Sequence, residues 1–105
     1  MILATATSKN NVVIRLTIER WYHITTSHKE IDQTDFSRII STVESPEVIL
    51  KGDTGELLAV RKEPRKKFWI VVAYKEVDSN DGFILTTYIT TDSGWLFQKE
   101  VIWSK

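Results

Sequence analysis

The feature that most constrains this chain is a change of hydrophobic period at Pro46. Before it, Phe36, Ile39, Ile40 and Val43 recur at i, i+3, i+4 and i+7. Thr34 is placed to cap them, Asp35 follows it, and Pro46 stops them, which is the pattern of an amphipathic helix. After Pro46 the period becomes that of a strand and stays so to the end of the chain. The stretch from Phe68 to Lys75 is apolar on both of its alternating sides (Phe68, Ile70, Val72 and Tyr74 against Trp69, Val71 and Ala73). Such a strand belongs in the middle of a sheet with helices over one face. Helices first and strands after predict an α+β fold, with two N-terminal helices on one face of an antiparallel sheet of four or five strands.

The other elements fit around that frame. Residues 1–11 are small and polar without sustained period and read as a loose leader, entering a short strand at Val12 to Leu16. Thr17 can cap a first helix, where Glu19 complements the positive end of the dipole. On this helix Ile18, Trp21, Ile24, Thr25 and His28 share one stripe, whereas His23 lies opposite with Glu19, Arg20 and Ser27, so only His28 looks toward the core. Beyond the second helix come a short, edge-like Glu47 to Leu50, a turn at Lys51 to Gly55 and an alternating Glu56 to Lys62. A turn at Asp78 to Gly82 makes Phe83 to Thr91 the antiparallel partner of Phe68 to Lys75. The tail alternates Trp95, Phe97, Val101 and Trp103, as a further strand or an extended cover.

At 105 residues the chain supports one core and one domain. It has no cysteine, which removes disulfides and thiolate chemistry and is compatible with a reducing compartment, hence a cytoplasmic location. No run is long enough to span a membrane, and the first residues lack the regions of a signal peptide. Formal net charge is zero, yet residues 1–60 carry six Lys/Arg against eight Asp/Glu and residues 61–105 carry eight against six. Arg61, Lys62, Arg65, Lys66 and Lys67 concentrate the late charge, as a local phosphate site or a solvated hairpin loop. Phosphate loops, HExxH, paired Cys/His spacings and G-x-S-x-G elbows do not occur, and the acidic pairs sit in turns and caps, so neither a metal nor a cofactor is expected.

What remains are His, Lys, Arg, Thr and Tyr, the residue types that RNA cleavage without a metal requires. A histidine takes the 2′-hydroxyl proton, cations neutralise the phosphorane, and an acid protonates the leaving 5′-oxygen. By alternation Arg61 points with Leu57 and Ala59, Lys75 with Val71 and Ala73, and Thr86 with Ile84 and Tyr88; the register decides whether the three directions agree. Each residue also has a plain structural reading: His28 as a hydrogen-bonded core histidine, Thr86 and Thr87 as strand formers, Tyr88 as a packing residue, and the tryptophans as mostly core, with Trp95 or Trp103 free to stack on a base.

Four segments taken together, LTIERWYHITTSHKEI (Leu16 to Ile31), STVESPEVI (Ser41 to Ile49), IVVAYKE (Ile70 to Glu76) and DGFILTTYIT (Asp81 to Thr90), resemble the phage-associated barnase/EndoU/colicin/RelE-like nuclease family. Its pattern runs RW-x-HI, H-P-E, T-x-x-x-P-[DE]-x-I, a VVYKE-like strand and F-I-x-T-A-Y. The resemblance covers about residues 16–91 and implies a metal-independent ribonuclease, often a toxin, with RNA on the concave face of the sheet. Arg20, Trp21, His23 and Ile24 match the first element, His28 and Glu30 the second, Lys75 and Glu76 the fourth, and Thr86 and Tyr88 the last. Lys29 stands where the family usually has Pro, and Thr87 where it usually has Ala.

The expectation is therefore a small endoribonuclease. His28 (or His23) is its base, Lys75, Thr86 and Tyr88 complete the catalytic group, and Arg20, Arg61, Lys62 and Arg65 hold phosphate and RNA. The resemblance further implies a cognate antitoxin or immunity protein as partner. The rival reading is a non-catalytic domain that keeps the same fold to bind protein or nucleic acid. A DNA-binding role is weaker, because no helix carries the clustered Arg, Asn or Gln of a recognition helix.

Overall fold

A computed structural model of the protein describes residues 1–63 and 67–105. The first eleven residues are not loose: Ile2–Thr7 form strand β1, which pairs antiparallel with β2 (Val13–Thr17) through a turn where Asn11 takes a left-handed φ of 64°. Helix α1 (Ile18–Ser27) follows at once, with the Thr17 hydroxyl accepting the Arg20 N–H at 3.1 Å. Its last turn, Thr25-Thr26-Ser27, is poor in helix formers, and the Thr25 and Thr26 hydroxyls bond back to the carbonyls of Trp21 and Tyr22. The helix ends there. His28 is its C-cap, with φ −117° and ψ 88°, and so leaves the apolar stripe on which a longer helix would have held it.

The second helix begins differently from the expectation that Thr34 caps it. Asp32, two residues earlier, caps the turn that leads into it: its carboxylate accepts the Thr34 N–H at 2.8 Å, while the Asp35 carboxylate accepts the Asp32 N–H at 3.0 Å. This capping box opens a 3₁₀ turn over Gln33–Asp35, and α2 (Phe36–Glu44) continues from it. Trp21 meets Phe36 edge-to-face at 5.3 Å between centroids, tying α1 to α2.

Strands β3 (Val48–Lys51), β4 (Leu57–Lys62), β5 (Trp69–Glu76) and β6 (Gly82–Thr90) form an antiparallel meander. A four-residue helix α3 (Ser93–Leu96) and strand β7 (Val101–Ser104) close the chain. Among the described residues the sheet has seven strands in the order β1-β2-β6-β5-β4-β3-β7. It is mixed, because β2 runs parallel to β6, with Ile14 opposite Gly82 and Arg15 opposite Phe83.

Three points of the expected architecture are thereby corrected. The sheet is neither four- or five-stranded nor wholly antiparallel. The helices are not N-terminal, since the β1–β2 hairpin precedes them. The segment expected at an edge, β3, is internal, because β7 pairs with its outer side. The physical reason for the first two is the β1–β2 hairpin. Ala6, Val12, Ile14 and Leu16 bury their side chains beneath the helices, a burial worth about 1.5–3 kcal/mol for each larger residue.

The sheet has apolar clusters on both faces. One joins those hairpin residues to Ile24, Ile39 and Val43 of the helices and to Ala59, Ile70, Val72, Tyr74 and Ile84. The other, on the face without α1 and α2, joins Val48, Leu50, Leu58, Val60, Val71 and Ala73 to Leu96 of α3. Gly82 sits where the two halves of the sheet meet, and a side chain there would strike the Lys75 carbonyl oxygen and Ile14 Cδ1. Among the described residues no helix is long and apolar enough to cross a membrane.

Candidate functional site

Register sorts the candidate residues onto two faces. Ala59 lies opposite Val72 and Arg61 opposite Ile70, so Arg61 shares the helix-bearing face. Lys75 has the parity of Ala73 and Val71 and belongs to the other face. On β6 the alternation is interrupted: Tyr74 pairs with Ile84 but Ala73 pairs with Thr86, leaving Leu85 as the extra residue of a β-bulge. Ile84 therefore faces the helices, while Leu85 and Tyr88 pack into the second cluster. Of the common direction expected for Ile84, Thr86 and Tyr88, the bulge leaves Thr86 and Tyr88 together, opposite Ala73 and Val71, and turns Ile84 to the other face.

On that second face the end of α1 meets β6. The His28 imidazole lies 6.4 Å from the Tyr88 ring, centroid to centroid, tilted by 32°. Tyr88 in turn meets Trp95 of α3 edge-to-face at 6.3 Å. Trp69 and Phe97 form a second such pair at 5.0 Å. Cations lie over the indoles, Lys99 Nζ at 5.5 Å from the Trp95 ring centre and Lys62 Nζ at 5.7 Å from that of Trp69. Beside Trp95, Lys51, Gly52, Asp53, Gln98 and Lys99 line an open cavity of about 460 Å³.

The charges are mixed. His28 Nδ1 is 3.9 Å from Glu30 Oε2, and Lys99 Nζ is 3.2 Å from Asp53 Oδ1. Burial raises the Tyr88 phenol above its ordinary value, and the Glu56 and Asp53 carboxylates raise it further. Tyr88 is thus a neutral hydrogen-bond donor at neutral pH and no base. The Thr86 hydroxyl is enclosed and has no partner among the described residues. Lys75 is exposed near the Gly82 end of β5.

The remaining candidates lie elsewhere. His23 is exposed on the outer side of α1, and Arg20 is half-buried on the same helix. Arg61 lines a different cavity, with Arg38 and Glu63, against α2. Arg65 lies outside the described residues. The structure thus brings His28 and Tyr88 together, with Lys62 and Lys75 on the same face, and separates Arg61 from them.

Trp95, Trp69, Phe97 and Lys99 were not legible as a group. Trp95 does carry a local signal, since Asp92 caps α3 by accepting the Trp95 N–H at 3.1 Å, a start signal hidden beneath the alternation of the tail. The tryptophans read as core divide: Trp21 and Trp69 pack half-buried against the two clusters, Trp103 is half-buried, and Trp95 is 48% exposed. Neither protein-family models, nor curated proteins, nor solved structures match this chain.

Proposed function

We propose that the protein is a small metal-independent endoribonuclease whose site is the face of the sheet that carries the second apolar cluster, where the end of α1 reaches β6. The observation that carries this reading is the delivery of His28, by the end of α1, against Tyr88 on β6. An imidazole is the side chain best suited to exchange a proton near neutral pH. In the reaction His28 takes the proton of a ribose 2′-hydroxyl and the 2′-oxygen attacks the adjacent phosphorus. The bond to the 5′-oxygen breaks, and that oxygen receives a proton from the imidazolium or from water. A 2′,3′-cyclic phosphate and a free 5′-hydroxyl result.

The Tyr88 hydroxyl donates to a non-bridging oxygen, and Lys75, on the same face four residues along β5 from the Val71 that lies opposite Tyr88, holds the RNA backbone at a neighbouring phosphate. The neighbouring rings of Trp95 and Trp69 offer bases a stacking surface worth about 1–3 kcal/mol per base. The family resemblance of residues 16–91 supports the same reading. It adds cytoplasmic action as a toxin, held in check by a cognate protein that covers this face.

The test is digestion of a mixed RNA pool in EDTA by wild type, His28→Ala and Lys75→Ala, each first shown to be folded. Wild-type cleavage to cyclic phosphates, lost at least a hundredfold in His28→Ala, is the expected result. No cleavage by wild type, or equal cleavage by all three, sinks it. The stacked cations and indoles also fit a second reading, RNA binding without cleavage. RNA affinity equal in wild type and His28→Ala, lowered by Trp95→Ala and with no products from any variant, would identify it.

A further inference from the structure

Arg61, placed by register on the helix-bearing face, leads to a second site that the proposed cleavage does not use. Between α2 and the β4–β5 pair lies a cavity of about 170 Å³, lined by Arg38, Ser41, Thr42, Arg61, Glu63 and Ile70. That is the space of roughly five or six waters at about 30 Å³ each, enough for one anion of five heavy atoms. Its two guanidiniums are not equivalent. Arg38 is charge-matched, with Nη1 3.2 Å from Asp35 Oδ1 and Nε 3.7 Å from Glu63 Oε2. Arg61 is half-buried, sits opposite Ile70, and has no ion pair or side-chain hydrogen bond among the described residues.

We infer that this cavity is a phosphate-binding site, built by Arg61 with Arg38 and independent of the His28 face. A half-buried guanidinium without an ion-pair partner within 4 Å among the described residues gains from an oxyanion of matching fork geometry, for which Glu63 in the same lining is the competitor. The cavity's hydroxyls are already committed as donors: Ser41 Oγ gives its hydrogen to the Ser37 carbonyl at 2.9 Å, and Thr42 Oγ1 to that of Arg38 at 2.6 Å. Of the described arginine and hydroxyl side chains in the lining, the guanidiniums remain as donors, which suits the several acceptor oxygens of a phosphate. A carboxylate has two oxygens and serves one fork. A phosphate has enough to bridge both arginines, and the contact it must loosen, Arg38 to Glu63, is already longer than a hydrogen bond. Lys62 also borders the cavity, but its ammonium lies over Trp69 on the other face.

The test is titration by calorimetry with two probes at constant ionic strength, inorganic phosphate and a 5′-phosphorylated oligoribonucleotide compared with its 5′-hydroxyl form. Sodium chloride is the control. Expected are saturable binding of at least one phosphate probe, a tenfold or greater loss in Arg61→Gln, and tighter binding in Glu63→Gln, which removes the competing carboxylate. Binding of inorganic phosphate alone identifies a free-phosphate site. A preference for the 5′-phosphorylated strand identifies the end of a nucleic acid. His28→Ala should bind as wild type does, so loss of cleavage and loss of phosphate binding are separately readable. If Arg61→Gln does not fold, Arg61→Lys, which keeps the charge but not the fork, should lose about threefold. Unchanged binding in the Arg61 variants, weaker binding in Glu63→Gln, or no binding of either probe by wild type overturns the inference.

Discussion

Tyr74→Phe tests the packing of β5 most directly. Tyr74 is fully buried against the helices, and its hydroxyl has no hydrogen-bond partner among the described residues. An enclosed hydroxyl without a partner costs about 1–3 kcal/mol relative to the same group in water, whereas phenylalanine keeps the ring and its contacts. Losing the oxygen's dispersion contacts returns part of that gain, so the expected net effect is stabilisation by about 1 kcal/mol. For a domain of this size that is a rise in Tm of about 4 °C. The same burial, with the Glu76 carboxylate adding to it, holds the Tyr74 phenol well above its ordinary value. The unfolded chain releases this proton near pH 10 and the folded chain does not. Stability is therefore complete below pH 10 and falls above it by up to about 1.4 kcal/mol per pH unit for this one group. Tyr88, shifted the same way, contributes to both proteins, so the difference in slope between wild type and Tyr74→Phe isolates Tyr74. The assay is urea unfolding at pH 7, 10 and 11. Destabilisation by 1 kcal/mol or more at pH 7, or parallel profiles for the two proteins above pH 10, refutes the reasoning.

Thr86→Val removes the other enclosed, unpartnered hydroxyl while keeping the branched shape that suits a strand, so urea unfolding should show it neutral or stabilised by about 1 kcal/mol. Gly82→Ala should cost about 2 kcal/mol or more by the same assay, because the new Cβ meets backbone at Lys75 rather than a side chain that can move aside. Deleting Leu85 should leave a folded protein with cross-strand contacts between residues 69–73 and 86–90 unchanged by NMR, at a cost of about 2 kcal/mol in lost burial. Deleting Thr87 instead shifts register where no extra residue exists, and should abolish cooperative unfolding.

Legibility followed the range of the interactions that decide each element. Thr17 as a cap and the stripe of α2 were readable because caps and helical periods are set within one or two turns. The centrality of β5 was readable because a strand apolar on both sides has nowhere else to go. The hairpin of β1 was not: Ile2, Leu3 and Thr5 keep much of their surface exposed, and the strand is held by pairing with β2 rather than by a pattern of its own. The parallel joining of β2 to β6 rests on residues 14–15 meeting residues 82–83, a separation that no local period encodes. His28 was misplaced because the helical period was carried through it, whereas α1 ends at Ser27 and His28 itself leaves helical φ and ψ as the C-cap.

The candidate site depends on that ending and on the bulge together. Had α1 continued regularly, His28 would have stayed on the stripe of Ile24, under the helix-bearing face. Had β6 alternated without interruption from Ile84, Tyr88 would have stayed on that same side. The end of α1 sends His28, and the bulge sends Thr86 and Tyr88, out of the shared core toward the face where α3 places Trp95. Arg61 lies on β4, whose pairing with β5 runs without a shift, so nothing carries it across. The separation of His28 and Tyr88 from Arg61 therefore follows from where the backbone departs from regularity, and the residues at those departures, Thr25 to Ser27 and Leu85, govern the site without belonging to it.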